Sequence, residues 1–291
     1  MWVVLAVAAA LTLGDGLRHH PGVVPDHQAA GATGRIGPDR LPERRAGPGE
    51  RAVPDGAVRG RTLRPGPVRL PQADFVSWAL LERRTGRVAG SATLAAATDS
   101  TSVIVPWLAA DFLRLAGDRG RRPDEERLRQ LRVMIRDSDQ AAAAEIYRLV
   151  GGRSSIHRLI ARCGLTDSHP PRSAGWADTA LSARDLARTG ACLADGRAAG
   201  PRWTPWLLGQ MRAVRGAGDF GVRRALPDDV ARTVAIQNGW LQPDDDRRWR
   251  VGCLAVGSDW VLAVLARYPA RHGFTHGARL CRDIGAQLIA P

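Results

Sequence analysis

The sequence predicts an α+β fold in which both ends of the domain build one antiparallel sheet around a central cluster of helices. Apolar residues alternate with a period of two at 74–92 and again between 233 and 268, as they do in half-buried strands. Between these regions, apolar residues recur at helical spacing in segments that end at glycine or polar residues. Strands at both ends with helices between them are typical of α+β domains.

The first 72 residues lack the pattern of a folded domain. The apolar run 2–13 is shorter than the roughly 20 residues of a membrane helix but suits the core of a signal segment. We therefore assign 1–17 to a signal segment of an exported protein, although no basic residues precede the run; a start codon assigned too early or a partly buried terminal segment is the alternative. Residues 18–72 are rich in glycine, proline and arginine, which predicts a disordered tether, with irregular coil packed on the domain as the alternative.

The predicted domain, 73–291, begins with a hairpin. Its strands are 74–81 and 87–92, and Thr85-Gly86 forms the turn between them. A polar turn then leads into a helix that ends near Leu115. Three more helices are predicted at 125–135, 141–150 and 154–163, the last two separated by Gly151-Gly152.

The second half of the domain returns from helices to strands. After a loop at 164–179, Ser182-Ala183-Arg184-Asp185 matches a capping box and opens a helix that ends near Asp195-Gly196. A short helix at 205–211 and a glycine-bearing loop at 215–221 follow. Three strands are predicted at 233–237, 248–256 and 260–268, with turns at Asn238-Gly239 and Gly257-Ser258-Asp259 and a closing helix at 277–289.

The charge of the chain is strongly positive, at +13, and all of its 42 basic residues are arginine, because the sequence contains no lysine. Such a charge favours an anionic partner such as nucleic acid, an anionic membrane or an anionic wall polymer. Uniform arginine with abundant alanine and glycine also fits the codon usage of a GC-rich genome. Aromatic residues make up only 5% and no arginine block alternates with them, so we predict neither nucleic-acid binding nor stable membrane insertion.

The four cysteines, Cys163, Cys192, Cys253 and Cys281, all lie in the second half of the chain. An even number in an exported protein predicts two disulfides, although the spacing leaves the pairing open. No C-x-x-C or Cys/His cluster is present, so the sequence predicts no metal site and no cofactor. No cysteine follows the apolar run at 2–13, so the sequence predicts no lipid anchor there.

One serine stands at a chemically favourable place in the predicted fold. Ser102 lies in the first turn of a helix, where backbone N–H groups can stabilise an oxyanion, and serine is also a preferred N-cap residue. Local pattern alone leaves both interpretations open. Two other short segments bear on this choice, namely Ser138-Asp139-Gln140 and Gln237-Asn238-Gly239.

Together with Ser102-Val103-Ile104-Val105, these segments resemble the S-x-x-K, S-D-N and K-T-G motifs of class A β-lactamases and penicillin-binding-protein-like serine hydrolases. The resemblance extends from Asp74 to the C-terminus and implies a β-lactamase/transpeptidase-like fold. It also implies a site with Ser102 as nucleophile and Ser138 and Asp139 as further catalytic residues. Gln140, Gln237, Asn238 and Gly239 would bind the substrate.

The residues that should activate the serine are missing. Val105 replaces the lysine of S-x-x-K, Gln237 replaces that of K-T-G, and the loop 164–179 contains no glutamate for deacylation, its acids being Asp167 and Asp178. General-base assistance contributes about 10²- to 10⁴-fold to such reactions, and an oxyanion hole about 10²- to 10³-fold. We therefore expect a catalytically degenerate homologue, with Ser102 a vestigial nucleophile and acylation without hydrolysis a subsidiary outcome.

Each motif also has an ordinary structural interpretation. Ser102 is equally well a helix cap, and Ser138 and Asp139 are more readily caps of the helix that follows them than a proton relay. Asn238-Gly239 is a good turn former. Trp240 beside it is more often a packing residue than the wall of a cleft.

Three function classes follow from the sequence. The first is a non-catalytic envelope protein whose cleft binds cell-wall peptide or a β-lactam. The second is an active serine hydrolase with an unusual base, such as Asp139 or a histidine. The third is an arginine-rich interaction protein that its tether holds to an anionic polymer.

Overall fold

The computed structural model describes residues 63–70, 73–172, 175–242 and 246–289. The signal segment predicted at 1–17 and most of the tether predicted at 18–72 lie outside the described residues. The strands are β1 (Phe75–Glu82), β2 (Val88–Gly90), β3 (Ala97–Asp99), β4 (Ala180–Ser182), β5 (Ala235–Leu241), β6 (Arg248–Val256) and β7 (Trp260–Pro269). The α-helices are α1 (Val105–Asp118), α2 (Glu125–Arg136), α3 (Gln140–Leu149), α4 (Arg153–Cys163), α5 (Ala183–Ala194), α6 (Thr204–Arg212), α7 (Asp228–Ala231) and α8 (Gly273–Leu288).

The main sheet has five strands in the order β2-β1-β7-β6-β5, and every neighbouring pair is antiparallel. Strand β1, from the start of the domain, lies beside β7, from its end, over eight paired residues from Phe75↔Arg267 to Glu82↔Trp260. The predicted α+β fold with a sheet built from both ends is therefore confirmed. A second sheet, made only of β3 and β4, was not predicted, because three-residue strands are too short to show a period.

Helices α5 and α8 cover opposite faces of the main sheet. A Cβ added at Gly190 in α5 would lie 2.6 Å from Val261 and 2.9 Å from Leu254, while one at Gly277 in α8 would lie 2.5 Å from Val251. Successive residues of a strand point to opposite faces, so Val251 and Leu254 face opposite sides of β6. The burial of β6 and β7 on both faces explains their nearly continuous apolar sequences.

Side-chain caps begin several of the helices, as the sequence predicts. Ser182 accepts a hydrogen bond from the backbone N–H of Asp185 at 3.1 Å, which confirms the N-terminal side of the predicted capping box. Asp124 caps α2 by accepting from the N–H of Arg127 at 2.8 Å. None of the described helices is both long enough and apolar enough to cross a membrane.

Two disulfides join helices to their neighbours, and the even number of cysteines had predicted that count. Cys163 in α4 is bonded to Cys192 in α5, and Cys253 in β6 is bonded to Cys281 in α8. All four half-cystines are buried, so each bond lies within the core. The second bond fixes α8 to the sheet beside the edge strand β5.

Residues 63–70 differ from the tether predicted for this part of the chain. Leu63 is buried and pairs with Ile289 in an antiparallel bridge, and the N–H of Arg64 donates to the carbonyl of Leu288 at 2.9 Å. Farther along, the N–H of Arg69 donates to the side chain of Gln287 at 2.8 Å. For these eight residues the predicted disordered tether is wrong, and the alternative of irregular coil packed on the domain is correct. Hydrogen bonds to α8 and the residue after it hold this segment on the domain.

The contact between α5 and the sheet predicts a measurable difference between two helical glycines. Gly190→Ala should lower the free energy of unfolding by about 1 to 2 kcal/mol, because the added methyl group overpacks the side chains of Val261 and Leu254. Gly209→Ala in α6, where no atom lies within 4 Å of the added Cβ, should raise it by about 0.5 to 1 kcal/mol through helix propensity. Urea unfolding of both variants measures this, and equal effects would contradict the packing.

Candidate active site

Ser102 lies in a single 3-10 turn, Thr101–Ile104, directly before α1. The N-cap of this turn is Ser100 and the N-cap of α1 is Ile104, so the interpretation of Ser102 as a helix cap is wrong. The side chain is almost buried, with 7% of the residue exposed. Val105, at the position of the motif lysine, is the first residue of α1 and is 2% exposed.

The backbone before Ser102 has an unusual conformation. Thr101 has a φ of +55°, in the left-handed region that a β-branched residue rarely adopts, and such a conformation costs about 1 to 3 kcal/mol. The loop after α4 holds it in place. The N–H groups of Ser100 and Thr101 donate to the carbonyls of Thr179 and Ala177, both at 2.9 Å. The position of Ser102 is therefore set by tertiary contacts rather than by its own turn.

The segment Ser138-Asp139-Gln140 reaches the serine through its last residue. The Nε2 of Gln140 lies 3.4 Å from the Oγ of Ser102 and 3.3 Å from the carbonyl of Ser138. Asp139 is the N-cap of α3 and accepts from the N–H of Ala142 at 2.7 Å, as its capping interpretation predicts. Ser138 has a φ of +57°, and its buried Oγ has no hydrogen-bond partner among the described residues.

The third segment, Gln237-Asn238-Gly239, lies inside strand β5. Asn238 and Gly239 pair with Cys253 and Gly252 of β6, so the predicted turn at Asn238-Gly239 and the strand end at residue 237 are wrong. A Cβ at Gly239 would overlap the backbone nitrogen of Ser102 and lie 2.9 Å from its Cα. Only glycine lets the edge strand approach the serine this closely.

Asn238 holds a neighbouring loop rather than facing the serine. Its Nδ2 donates to the carbonyls of Gly218 at 2.9 Å and Phe220 at 2.8 Å. A Cβ at Gly218 would in turn lie 3.1 Å from the Oγ of Ser138. The structure thus brings the three predicted segments together. The loop around Gly218 connects Asn238 with Ser138, a contact that the sequence did not predict. The glycines of that loop were the available signal, but they did not show what the loop contacts.

Gln237, in the place of the second motif lysine, is fully buried. Its Nε2 lies 3.4 Å from the carbonyl of Asn238, and its Oε1 has no hydrogen-bond partner among the described residues. Side chains two residues apart share one face of a strand, so Gln237 and Gly239 both lie on the face that packs against Ser102.

Three arginines near these segments are already paired. Arg250 binds the carboxylates of Asp99 and Asp246; burial opposes the charge, but the two carboxylates outweigh it and raise the pKa of Arg250. Arg215 forms an ion pair with Asp137, and its hydrogen bond lowers the pKa of Asp137.

Arg223 is almost buried and is engaged in the same way. Its guanidinium donates to the carbonyls of Arg212 at 2.7 Å and Val214 at 2.8 Å, and it forms an ion pair with Asp219 at 2.6 Å. The positive charge of this side chain is therefore neutralised within the protein.

Trp240, next along β5, belongs to a cluster of aromatic side chains. Its ring lies 5.3 Å from that of Phe274 and 5.9 Å from that of Phe220, and Trp249 lies 6.1 Å from Phe274. These contacts agree with the packing interpretation of Trp240.

A cavity of about 570 Å³ lies away from Ser102, between residues 63–65 and the β1–β2 hairpin. Its lining contains none of the predicted site residues, and its position gives no reason to move the candidate site. We place the site at Ser102 because the three motif segments meet there.

The comparison with known proteins agrees with this fold. The model of the beta-lactamase enzyme family matches residues 123–290, which is more than half of the chain. The chain belongs to the beta-lactamase enzyme family. This membership confirms the resemblance drawn from the three short motifs.

Two kinds of known protein resemble the chain. The proteins named "Putative lipoprotein LppW" of Mycobacterium bovis and Mycobacterium tuberculosis are 28% identical over 193 residues, which are 64% of this chain and 56% of theirs. The chain thus spans little more than half the length of these relatives.

Among solved structures, the TLA-3 extended-spectrum beta-lactamase is 13% identical with a TM-score of 0.62, over 74% of this chain and 93% of its own. A beta-lactamase from Xanthomonas campestris is 16% identical with a TM-score of 0.58, over 73% and 90%. At such identities the likeness shows the beta-lactamase fold alone.

The bridge through Asn238 predicts a large effect on stability for this family member. Asn238→Ala should lower the free energy of unfolding by about 2 to 3 kcal/mol, because the carbonyls of Gly218 and Phe220 lose their buried donor. Gln287→Ala removes an exposed amide on α8 and should change it by about 0.5 kcal/mol or less. Chemical denaturation measures both, and similar values would show that Asn238 does not hold the loop.

Proposed function

We propose that this protein is an envelope binding protein with a beta-lactamase fold, whose cleft at Ser102 holds cell-wall peptide or a β-lactam without turning it over. The contact between Ser102 and Gln140 carries the proposal. An amide has no basic atom near neutral pH, and it therefore cannot accept the proton of a serine hydroxyl. Val105 offers only hydrocarbon at the other position from which a base would act.

The carboxylates on the segments around Ser102 are occupied, which argues against an unusual base. Asp139, the candidate named from the sequence, caps α3 through the N–H of Ala142. Asp99 and Asp137 form ion pairs with Arg250 and Arg215. The lowered pKa of Asp137 makes its carboxylate a still weaker base. A neutral serine without a base is a poor nucleophile.

The backbone of the site nevertheless favours binding. Strand β5 ends its sheet as an edge strand, and its Gly239 lies directly against Ser102. An edge strand offers backbone N–H and C=O groups that can pair with an extended ligand. The wall peptide and the β-lactam are proposed as ligands because solved structures with this fold are β-lactamases.

An envelope location is supported by three observations of different kinds. The LppW proteins are named as lipoproteins. Two buried disulfides are expected of a protein that folds in an oxidising compartment. The apolar run at 2–13 is typical of an export signal.

Incubation with a reactive penicillin, followed by intact-mass measurement, tests the chemistry. We expect no mass increase for the wild type, because no group near Ser102 takes up its proton. Equilibrium binding of the uncharged methyl ester of the same penicillin, measured by calorimetry, should be detectable and should weaken in Ser102→Val, which fills the position with hydrocarbon. Ser258→Val, an exposed turn residue, is the matched control and should bind as the wild type does.

Two results would contradict the proposal in different ways. An adduct that forms on the wild type but not on Ser102→Ala would show an acylating enzyme. If the adduct on the wild type persists, the enzyme acylates without hydrolysis; if it decays, the enzyme turns over. No binding of either a penicillin or a wall peptide would show that the cleft is not a site for these ligands.

A further inference from the structure

Buried polar atoms without a hydrogen-bond partner gather on the segments that meet at Ser102. Among the described residues they include the Oγ1 of Thr101, the Oγ of Ser138 and the Oε1 of Gln237. We infer that the Ser102 cleft selects an uncharged amide group of its ligand and discriminates against a carboxylate. The inference rests on the proposed function and specifies the ligand's chemistry.

Gln237 supplies one of these buried polar atoms. It is fully buried on the face of β5 that packs against Ser102, and its Oε1 accepts no hydrogen bond from the described residues. An amide oxygen attracts an N–H donor and repels the oxygen of a carboxylate. The side chain has no net charge whichever way its amide is turned, so it supplies no counter-charge to an anion.

The other polar groups at the site are neutral as well. Thr101 and Ser138 present hydroxyl groups, and Gln140 presents an amide 3.4 Å from the Oγ of Ser102. A hydroxyl both donates and accepts, and therefore suits either the N–H or the C=O of a peptide group. Together these side chains match the donor and the acceptor of an amide.

Three arginines of the neighbouring segments are already engaged and do not compensate. Arg250 is shared between two carboxylates, Arg215 is paired with Asp137, and Arg223 is held by Asp219 and two backbone carbonyls. Burying a carboxylate without a partner cation carries a large desolvation cost. A neutral amide of the same shape carries no such cost when its hydrogen bonds are made.

The test compares two ligands that differ in one group. Acetyl-D-alanyl-D-alanine is used as the free acid and as its carboxamide, and each is titrated into the full chain by calorimetry at pH 7. The wild type should bind the carboxamide about tenfold or more tightly than the free acid. Gln237→Lys should remove or reverse this preference, while Gln287→Lys, the same change at an exposed amide, should leave it unchanged.

A second measurement needs no variant, because a lysine at the buried position 237 can prevent folding. Lowering the pH from 7 to 4 protonates part of the free acid, whose pKa as an α-carboxyl is about 3.5. Its affinity for the wild type should therefore rise toward that of the carboxamide, and the affinity of the carboxamide serves as the reference at each pH.

The outcomes separate this inference from the proposed function. Equal or tighter binding of the free acid at pH 7 overturns the selectivity alone, and points to Arg136, whose buried Nε has no hydrogen-bond partner among the described residues. No binding of either peptide or of a penicillin overturns both. Tighter binding of the carboxamide, with the preference lost in Gln237→Lys or on lowering the pH, supports the inference.

Discussion

The contact between Gly239 of the edge strand and the backbone of Ser102 joins the sheet to the helical cluster. No side chain fits between the two segments, so the serine and the strand share one fixed spacing. Everything else at the site is arranged about this contact. The loop before β4 holds Thr101 in its left-handed conformation from one side, and the loop around Gly218, tied to Asn238, approaches Ser138 from the other.

The electrostatics of the site follow from the residues that surround this contact. Where the resembling motifs have two lysines, this chain has a buried valine and a buried glutamine. A cleft with those cations would need anions nearby to balance them. Here the nearby carboxylates are instead balanced by arginines, in pairs such as Asp137 with Arg215. The result is a group of neutral polar side chains around Ser102, with several of the neighbouring charges paired within the protein.

Much of the fold could be predicted because its elements carry local signals. Strands β6 and β7 show long apolar runs, and Asp139 and Ser182 are caps whose side chains accept from the N–H three residues ahead. Asn238-Gly239 failed as a turn because its local preference is weaker than the ladder of β5 with β6 and the contact with Ser102. Tertiary context overrides a dipeptide signal of this size.

The site itself was only partly accessible from the sequence. The order of the three motifs predicted that their segments share one site, and Gln140 and Gly239 lie against Ser102. The role of Asn238 could not be seen, because its partners lie 18 and 20 residues away in a loop without a period. Ser102 failed as a cap because the helix begins only at Val105, after a 3-10 turn whose shape depends on carbonyls of residues 176–179.

The disulfide between Cys253 and Cys281 supports the segments that meet at Ser102, on the opposite face of β6. A Cβ at Gly221, which follows the loop held by Asn238, would lie 2.9 Å from the sulfur of Cys253. The loop therefore rests on the cross-link, which ties α8 to β6 directly beneath it. Reducing this cross-link would therefore loosen the loop that Asn238 holds beside Ser138 without changing any residue that contacts Ser102, so the redox state of the surroundings would act on the geometry of the site from outside it.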